Sequence, residues 1–99
     1  MAKYILTNKA VDDLSQIWNY TYYKWSEIQA DVYYNMLIDS CEYISENTNL
    51  GKNYEEIATY LFAYKVGRHI IFYQKQNEEN ILVIRILHQQ MDLKNRLAE

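Results

Sequence analysis

Four residues in the C-terminal half carry side chains able to handle an anionic group. Arg68 and His69 open one apolar run, HIIFYQK. Arg85 lies inside a second, ILVIRILH, which His88 closes. If the two runs pair as antiparallel strands, all four come near one another. An arginine that stabilises a phosphate beside a histidine that moves a proton is ribonuclease chemistry. The other reading is structural. A cation inside an apolar strand is tolerated only when paired and hydrogen-bonded. Arg85 then needs an acidic partner, either a carboxylate from the helices upstream or Asp92, and His88 merely ends the strand.

Other chemistry is sparse. Cys41 is the only thiol and falls on an apolar helical stripe, where a buried cysteine is inert. Two histidines and one cysteine give no metal-ligand spacing, and the two glycines form no phosphate-cradling loop. Asp12 with Asp13, and Glu55 with Glu56, are sequence neighbours whose side chains diverge, so they read as solvated faces. No catalytic residue, cofactor or metal is expected.

The elements that must position these groups follow from periodicity. Residues 2–7 suit a short strand, after which Thr7 or Asn8 can cap a helix, with Asp12 and Asp13 near its positive end. Ala10, Leu14, Ile17, Trp18, Thr21 and Trp25 form one stripe of a helix over 8–25. Ser26 with Gln29 is a capping box that opens a second helix over 27–46, with Ala30, Tyr33, Leu37, Cys41 and Ile44 as its stripe. The polar residues 47–56, including Gly51, make a loop. Beyond it the period becomes two, and strands are expected at 57–64, about 68–75 and about 81–87. Gly67 is free to take positive φ in the first turn, and 76–80 form the second. Apolar residues on both faces of the last strand place it centrally. Asp92 can cap a short tail helix through Leu93 and Leu97. The fold class is α+β: a short N-terminal strand and helical hairpin packed on an antiparallel sheet, a three-strand meander, with a short C-terminal helix.

Residues 1–99 fit a single domain. With 49% apolar residues the chain is not disordered, and no apolar stretch approaches a membrane span. A lone cysteine and the lack of a signal-like N-terminus point to the cytoplasm. Ten basic against thirteen acidic residues, a net charge of -3, argue against direct nucleic-acid binding. Eleven tyrosines and two tryptophans exceed what a core this small can bury. Tyr20, Tyr22, Tyr23 and Tyr34 fall off the helical stripes, and either mark a partner surface or simply meet solvent.

The segments GRHIIFY and ILVIRILHQQMD resemble the closing motif of ParE-type toxins of the RelE/ParE toxin–antitoxin superfamily, G-x-H-[VI]-I-F-Y and [IV]-x-R-[IV]-L-H-x-x-M-D. The match runs through Gly67, His69, Ile71, Phe72, Tyr73, Arg85, Ile86, Leu87, His88, Met91 and Asp92. Upstream, Leu6 and Thr7, Ala10, Asp13 and Leu14, Ile17 and Trp18, then Trp25, Gln29, Ala30 and Tyr33 fit the same pattern. So do Asn47, Gly51, Glu56 and Ile57 in the loop. Two departures stand out. Tyr60, Leu61 and Phe62 replace a usual G-[YL]-R, and Trp25–Ser26 replaces a usual W-G.

The resemblance implies a helical hairpin on an antiparallel sheet, and a toxin of plasmid-maintenance type. Such a toxin inhibits DNA gyrase by binding, blocks supercoiling and traps cleavage complexes, and a ParD-like antitoxin neutralises it. Arg85, His88, Met91 and Asp92 are the candidates for gyrase contact or toxicity. Tyr20, Tyr22, Tyr23 and Tyr34 are the candidates for antitoxin contact. Three roles stand for Arg85: a structural ion pair, a gyrase contact, or a relic of the phosphate-binding arginine of ribosome-dependent ribonucleases in the superfamily. Met91 reads equally as a core plug. The alternatives to gyrase inhibition are a RelE-like mRNA endoribonuclease, which the acidic charge disfavours, and a degenerate toxin that only binds antitoxin, which the altered 60–62 segment would explain.

Overall fold

The computed structural model describes residues 3–77, 79–91 and 93–97. The elements are β1 (Lys3–Leu6), α1 (Asn8–Lys24), α2 (Glu27–Glu46), β2 (Lys52–Asn53), β3 (Leu61–Val66), β4 (His69–Lys75), β5 (Asn80–His88) and α3 (Leu93–Leu97). Both expected caps form. The Thr7 hydroxyl accepts from the Ala10 amide at 3.1 Å, and the Ser26 hydroxyl from the Gln29 amide at 3.0 Å. Each satisfies one orphan donor at a helix start. With only Trp25 and Ser26 between them, the helices fold back as an antiparallel hairpin. Asp12 and Asp13 lie in the second turn of α1, past the reach of the helix's positive end. Asp12 is exposed, but Asp13 is buried rather than solvated.

The meander β3–β4–β5 is the centre of a five-stranded mixed sheet ordered β1-β5-β4-β3-β2. β1 adds in parallel along β5 from Lys3↔Asn80 to Leu6↔Val83, and the two-residue β2 closes the opposite edge against β3. β5 is therefore interior, as its two apolar faces required. Between β4 and β5 the register slips. Phe72 faces Arg85 while Tyr73 faces Val83, so Ile84 is the extra residue of a bulge. The bulge reverses the alternation. Ile81 and Val83 face the hairpin, and so does Ile86 beyond the bulge, which puts Arg85 in register with Phe72 of the other face. Without the bulge, period two would aim Arg85 into the main core.

That core lies between hairpin and sheet. Ala10, Leu14 and Ile17 meet Leu37, Cys41 and Ile44 over Ile71, Tyr73 and Val83. Each fully buried aliphatic or aromatic side chain contributes about 1.5–3 kcal/mol. Burial holds the Cys41 thiol protonated, its pKa pushed up to about 12. The far face carries a smaller cluster around Leu61, Phe72 and Leu87, covered by Tyr54, Ile57 and Leu97. Trp25, expected on the buried stripe, is instead 69% exposed, because the chain leaves the helix there. Among the described residues no helix is long and apolar enough to cross a membrane.

The strand expected from residue 57 begins only at Leu61. Residues 54–60 fold into turns, with the Ile57 and Ala58 amides both donating to the Tyr54 carbonyl. Tyr60 ends the segment at φ 60°, the only described non-glycine residue with positive φ. This is where the resembled motif carries glycine, so the left-handed backbone is kept without the residue that adopts it freely. A tyrosine held there costs on the order of 1 kcal/mol. Tyr60→Gly is expected to raise the thermal midpoint by about 4–8 °C, measured by circular dichroism. A fall would mean that the ring itself holds the turn.

Candidate functional site

The mouth of the β4–β5 pair, beneath the helical hairpin, gathers most of the groups singled out above. His69 opens β4 and His88 ends β5. They are register partners, with ring centroids 5.2 Å apart and edge to face. From α2, the Tyr33 hydroxyl lies 2.6 Å from His69 Nδ1 and accepts from the Arg68 amide at 3.2 Å. Gly67, at φ 58°, turns the chain beneath that hydroxyl, and a Cβ there would come within 2.9 Å of it.

Burial pushes His69 down to about pKa 4, helped by the neighbouring His88, while the Asp13 carboxylate pulls weakly the other way. A neutral His69 accepts from Tyr33 through Nδ1. His88 Nδ1 in turn accepts from the Gln90 amide at 3.1 Å. The unfolded chain takes up the His69 proton near pH 6.5, and the folded chain only near pH 4. This contribution to stability is therefore complete above about pH 6.5 and is lost as pH falls toward 4. The ring is only half-buried, so screening limits the loss to on the order of 1–2 kcal/mol. Thermal unfolding at pH 7.5 and 4.5 should show His69→Gln losing less than the native chain. Equal losses would assign the acid sensitivity to other groups.

Two grooves meet at this pair. One, of about 460 Å³, runs between the end of α1, the start of α2 and the Gly67 turn. The other, of about 440 Å³, extends past Ile86 to Gln90 and Met91. Tyr20, His69 and His88 line both.

Arg85 belongs to neither groove. Its Nε and Nη2 donate to the two Asp13 carboxylate oxygens at 2.8 and 3.0 Å, and its Nη1 to the Arg96 carbonyl in α3 at 2.9 Å. Asp13 Oδ2 also accepts the Ile86 amide at 3.0 Å. The reason is the sheet edge. β1 ends at Leu6, opposite Val83, so beyond that point β5 has no strand neighbour on the side away from β4. The Thr7 hydroxyl takes up the Ile84 carbonyl and Asp13 the Ile86 amide. Asp13 is thus an edge cap for β5 and the counter-ion of Arg85. The carboxylate comes from a helix, one of the two sources expected. Asp92, the other, lies outside the described residues, as does its expected capping of the tail.

Met91 is partly exposed at the groove's end. The four tyrosines do not form one patch. Tyr20 lines the grooves, Tyr22 stacks on Trp18 at 5.3 Å and meets Tyr23 edge-on at 5.2 Å, and Tyr34 lies on α2 with no ring contact to the others among the described residues. Among the groove residues that sequence reasoning missed are Lys24, Trp25 and Tyr33. Trp25 and Tyr33 were read as core because they match the helical period. The basic residue absent at Phe62 has a neighbour in its place, since Lys75 Nζ sits 4.5 Å above the Phe62 ring.

The chain matches the family described as "ParE toxin of type II toxin-antitoxin system, parDE" over residues 4–93. It is 32% identical over 96 residues to Toxin ParE1 of Mycobacterium tuberculosis, covering 97% of this chain and 98% of that one. It is 31% identical over 98 residues to Toxin ParE1 of Caulobacter vibrioides, 99% and 100% covered. Toxin ParE of Escherichia coli is 32% identical over 99 residues, 100% and 96% covered. The fold is similar to a solved structure titled "Chromosomal ParDE TA system from P. aeruginosa", with a TM-score of 0.74 at 15% identity over 89% of this chain and 96% of that one.

Proposed function

Because the chain belongs to the ParE toxin family of type II toxin–antitoxin systems, we propose that it acts in the cytoplasm as a DNA gyrase inhibitor, by binding rather than catalysis, and is neutralised by a ParD-like antitoxin. The observation that carries the binding reading is the geometry of Arg85, His69 and His88. Arg85 is committed to Asp13 and the Arg96 carbonyl. The His69 and His88 rings are in direct contact, which leaves no space between them for a reacting phosphate. A ribonuclease reading loses Arg85 as its anion-stabilising arginine, keeping only the exposed Arg68, and loses its separated acid and base.

In this reading His88 and Met91 meet gyrase from the end of β5, with Asp92 next to them in sequence. Arg85 contributes by fixing the strand and the tail. Tyr20, Tyr22, Tyr23 and Tyr34 serve antitoxin recognition. Purified protein added to gyrase, relaxed plasmid and ATP should block supercoiling and leave protein-linked cleaved DNA. No effect at large excess would sink the proposal. His88→Ala with Met91→Ala should raise the concentration for half-inhibition about tenfold or more. Tyr22→Ala with Tyr23→Ala should weaken antitoxin binding by a similar factor with the fold intact, and an unchanged affinity would remove those two from the interface.

A further inference from the structure

We infer that the two grooves meeting at His69 and His88 form one binding site for a free adenine mononucleotide. The base lies in the groove past Ile86, and the phosphate lies beside Lys24 and Arg68. No bond is made or broken there, and the site stands apart from whatever the protein does to gyrase.

Charge divides the site in two. The groove of about 460 Å³ is lined by Lys24 and Arg68 and by none of the chain's carboxylates. Both cations are exposed, and among the described residues neither pairs with an acidic side chain. Lys24 Nζ donates to the Tyr20 hydroxyl at 3.0 Å. A guanidinium fork with an ammonium next to it matches one phosphate group. A nucleic-acid strand would carry its further phosphates onto a surface of net charge -3. A single nucleotide has none to place there.

The groove of about 440 Å³ offers no free cation or anion. Its one carboxylate, Asp13, is spent on Arg85 and the Ile86 amide. Ile17, Ile86 and Met91 give it apolar walls, and Gln16 and Gln90 line it with exposed carboxamides. A carboxamide places a donor beside an acceptor, the pairing that fits the N6 and N7 edge of adenine. Apolar walls with a few such groups suit a neutral, flat heterocycle.

Tyr20, His69 and His88 line both grooves, so they stand where a base and a phosphate would be joined through ribose. Each histidine has its Nδ1 taken up within the protein, by the Tyr33 hydroxyl and by the Gln90 amide. In the neutral rings the proton is then on Nε2, from which each can donate to a ribose oxygen.

The test titrates the whole protein with 5′-AMP, adenosine, 5′-GMP and inorganic phosphate, each followed by amide chemical shifts. AMP should bind about tenfold tighter than any of the other three, with shifts at Ile17, Ile86 and Gln90 as well as at Lys24 and Arg68. Lys24→Ala with Arg68→Ala should bring AMP down to the affinity of adenosine. Gln16→Ala with Gln90→Ala should bring it down to that of GMP. All four are exposed positions, so each double variant should keep the native thermal midpoint. The inference is overturned if phosphate alone binds as tightly as AMP, if AMP and adenosine bind equally, or if AMP and GMP do. Shifts confined to one groove, double variants that bind AMP as the native chain does, or no AMP binding at all overturn it too.

Discussion

Asp13→Ala is expected to destabilise the fold by about 3–5 kcal/mol, the cost of leaving a buried cation without its counter-ion. Three donors lose their acceptor together, Arg85 Nε, Arg85 Nη2 and the Ile86 amide. A domain of this size is stable by only about 5–15 kcal/mol, so a loss that large removes much of the margin. Urea unfolding followed by circular dichroism reads it directly. Asp13→Asn keeps the shape and one acceptor oxygen, and should lose less. The double change Asp13→Leu with Arg85→Met removes both charges together, and should recover most of the deficit. If the single and double variants were equally unstable, the Ile86 edge cap rather than the ion pair would be the main term.

Gly51→Ala should cost about 2–3 kcal/mol. The glycine closes on a tyrosine in the heart of the fold. The Tyr73 hydroxyl donates to the Thr48 carbonyl at 3.0 Å and accepts the Gly51 amide at 2.9 Å, which pins the loop after α2 to the middle of β4. A Cβ on residue 51 would lie 2.4 Å from that hydroxyl oxygen and 2.8 Å from the ring. Tyr73 is fully buried, and its ring stacks on Phe62 at 5.7 Å, so it has nowhere to retreat. Overpacking of this kind costs about 1–3 kcal/mol, and the displaced hydroxyl loses hydrogen bonds as well. Tyr73→Phe with Gly51→Ala separates the two causes. Partial recovery relative to Gly51→Ala alone identifies the clash, and a further loss identifies the hydrogen bonds.

Altered positions in the motif leave the fold intact for separate reasons. Ser26, where the pattern carries glycine, replaces backbone freedom with a side-chain cap. Tyr60 keeps the left-handed turn under strain. Phe62 stacks on Tyr73 and holds a lysine from the neighbouring strand β4 above its ring.

Local patterns in the sequence determined the local structure. Thr7 and Ser26 mark helix starts because a hydroxyl there satisfies amides only three residues on. The stripes Ala10–Leu14–Ile17 and Leu37–Cys41–Ile44 set which helical faces are buried, since 3.6-residue periodicity follows from backbone geometry. Gly67 marked its turn because a positive φ costs glycine little. The lone arginine in an apolar strand demanded a carboxylate from desolvation alone. Only the tertiary structure decided which carboxylate, because Asp13 is 72 positions away and reaches Arg85 only where β1 ends early along β5. The bulge at Ile84, which takes Arg85 off the main core face, depends on pairing across two strands. Trp25, Lys24 and Arg68 share a groove only because the hairpin and the Gly67 turn close over one another. Short-range geometry is written in neighbouring residues, whereas edges, registers and grooves arise where distant segments meet.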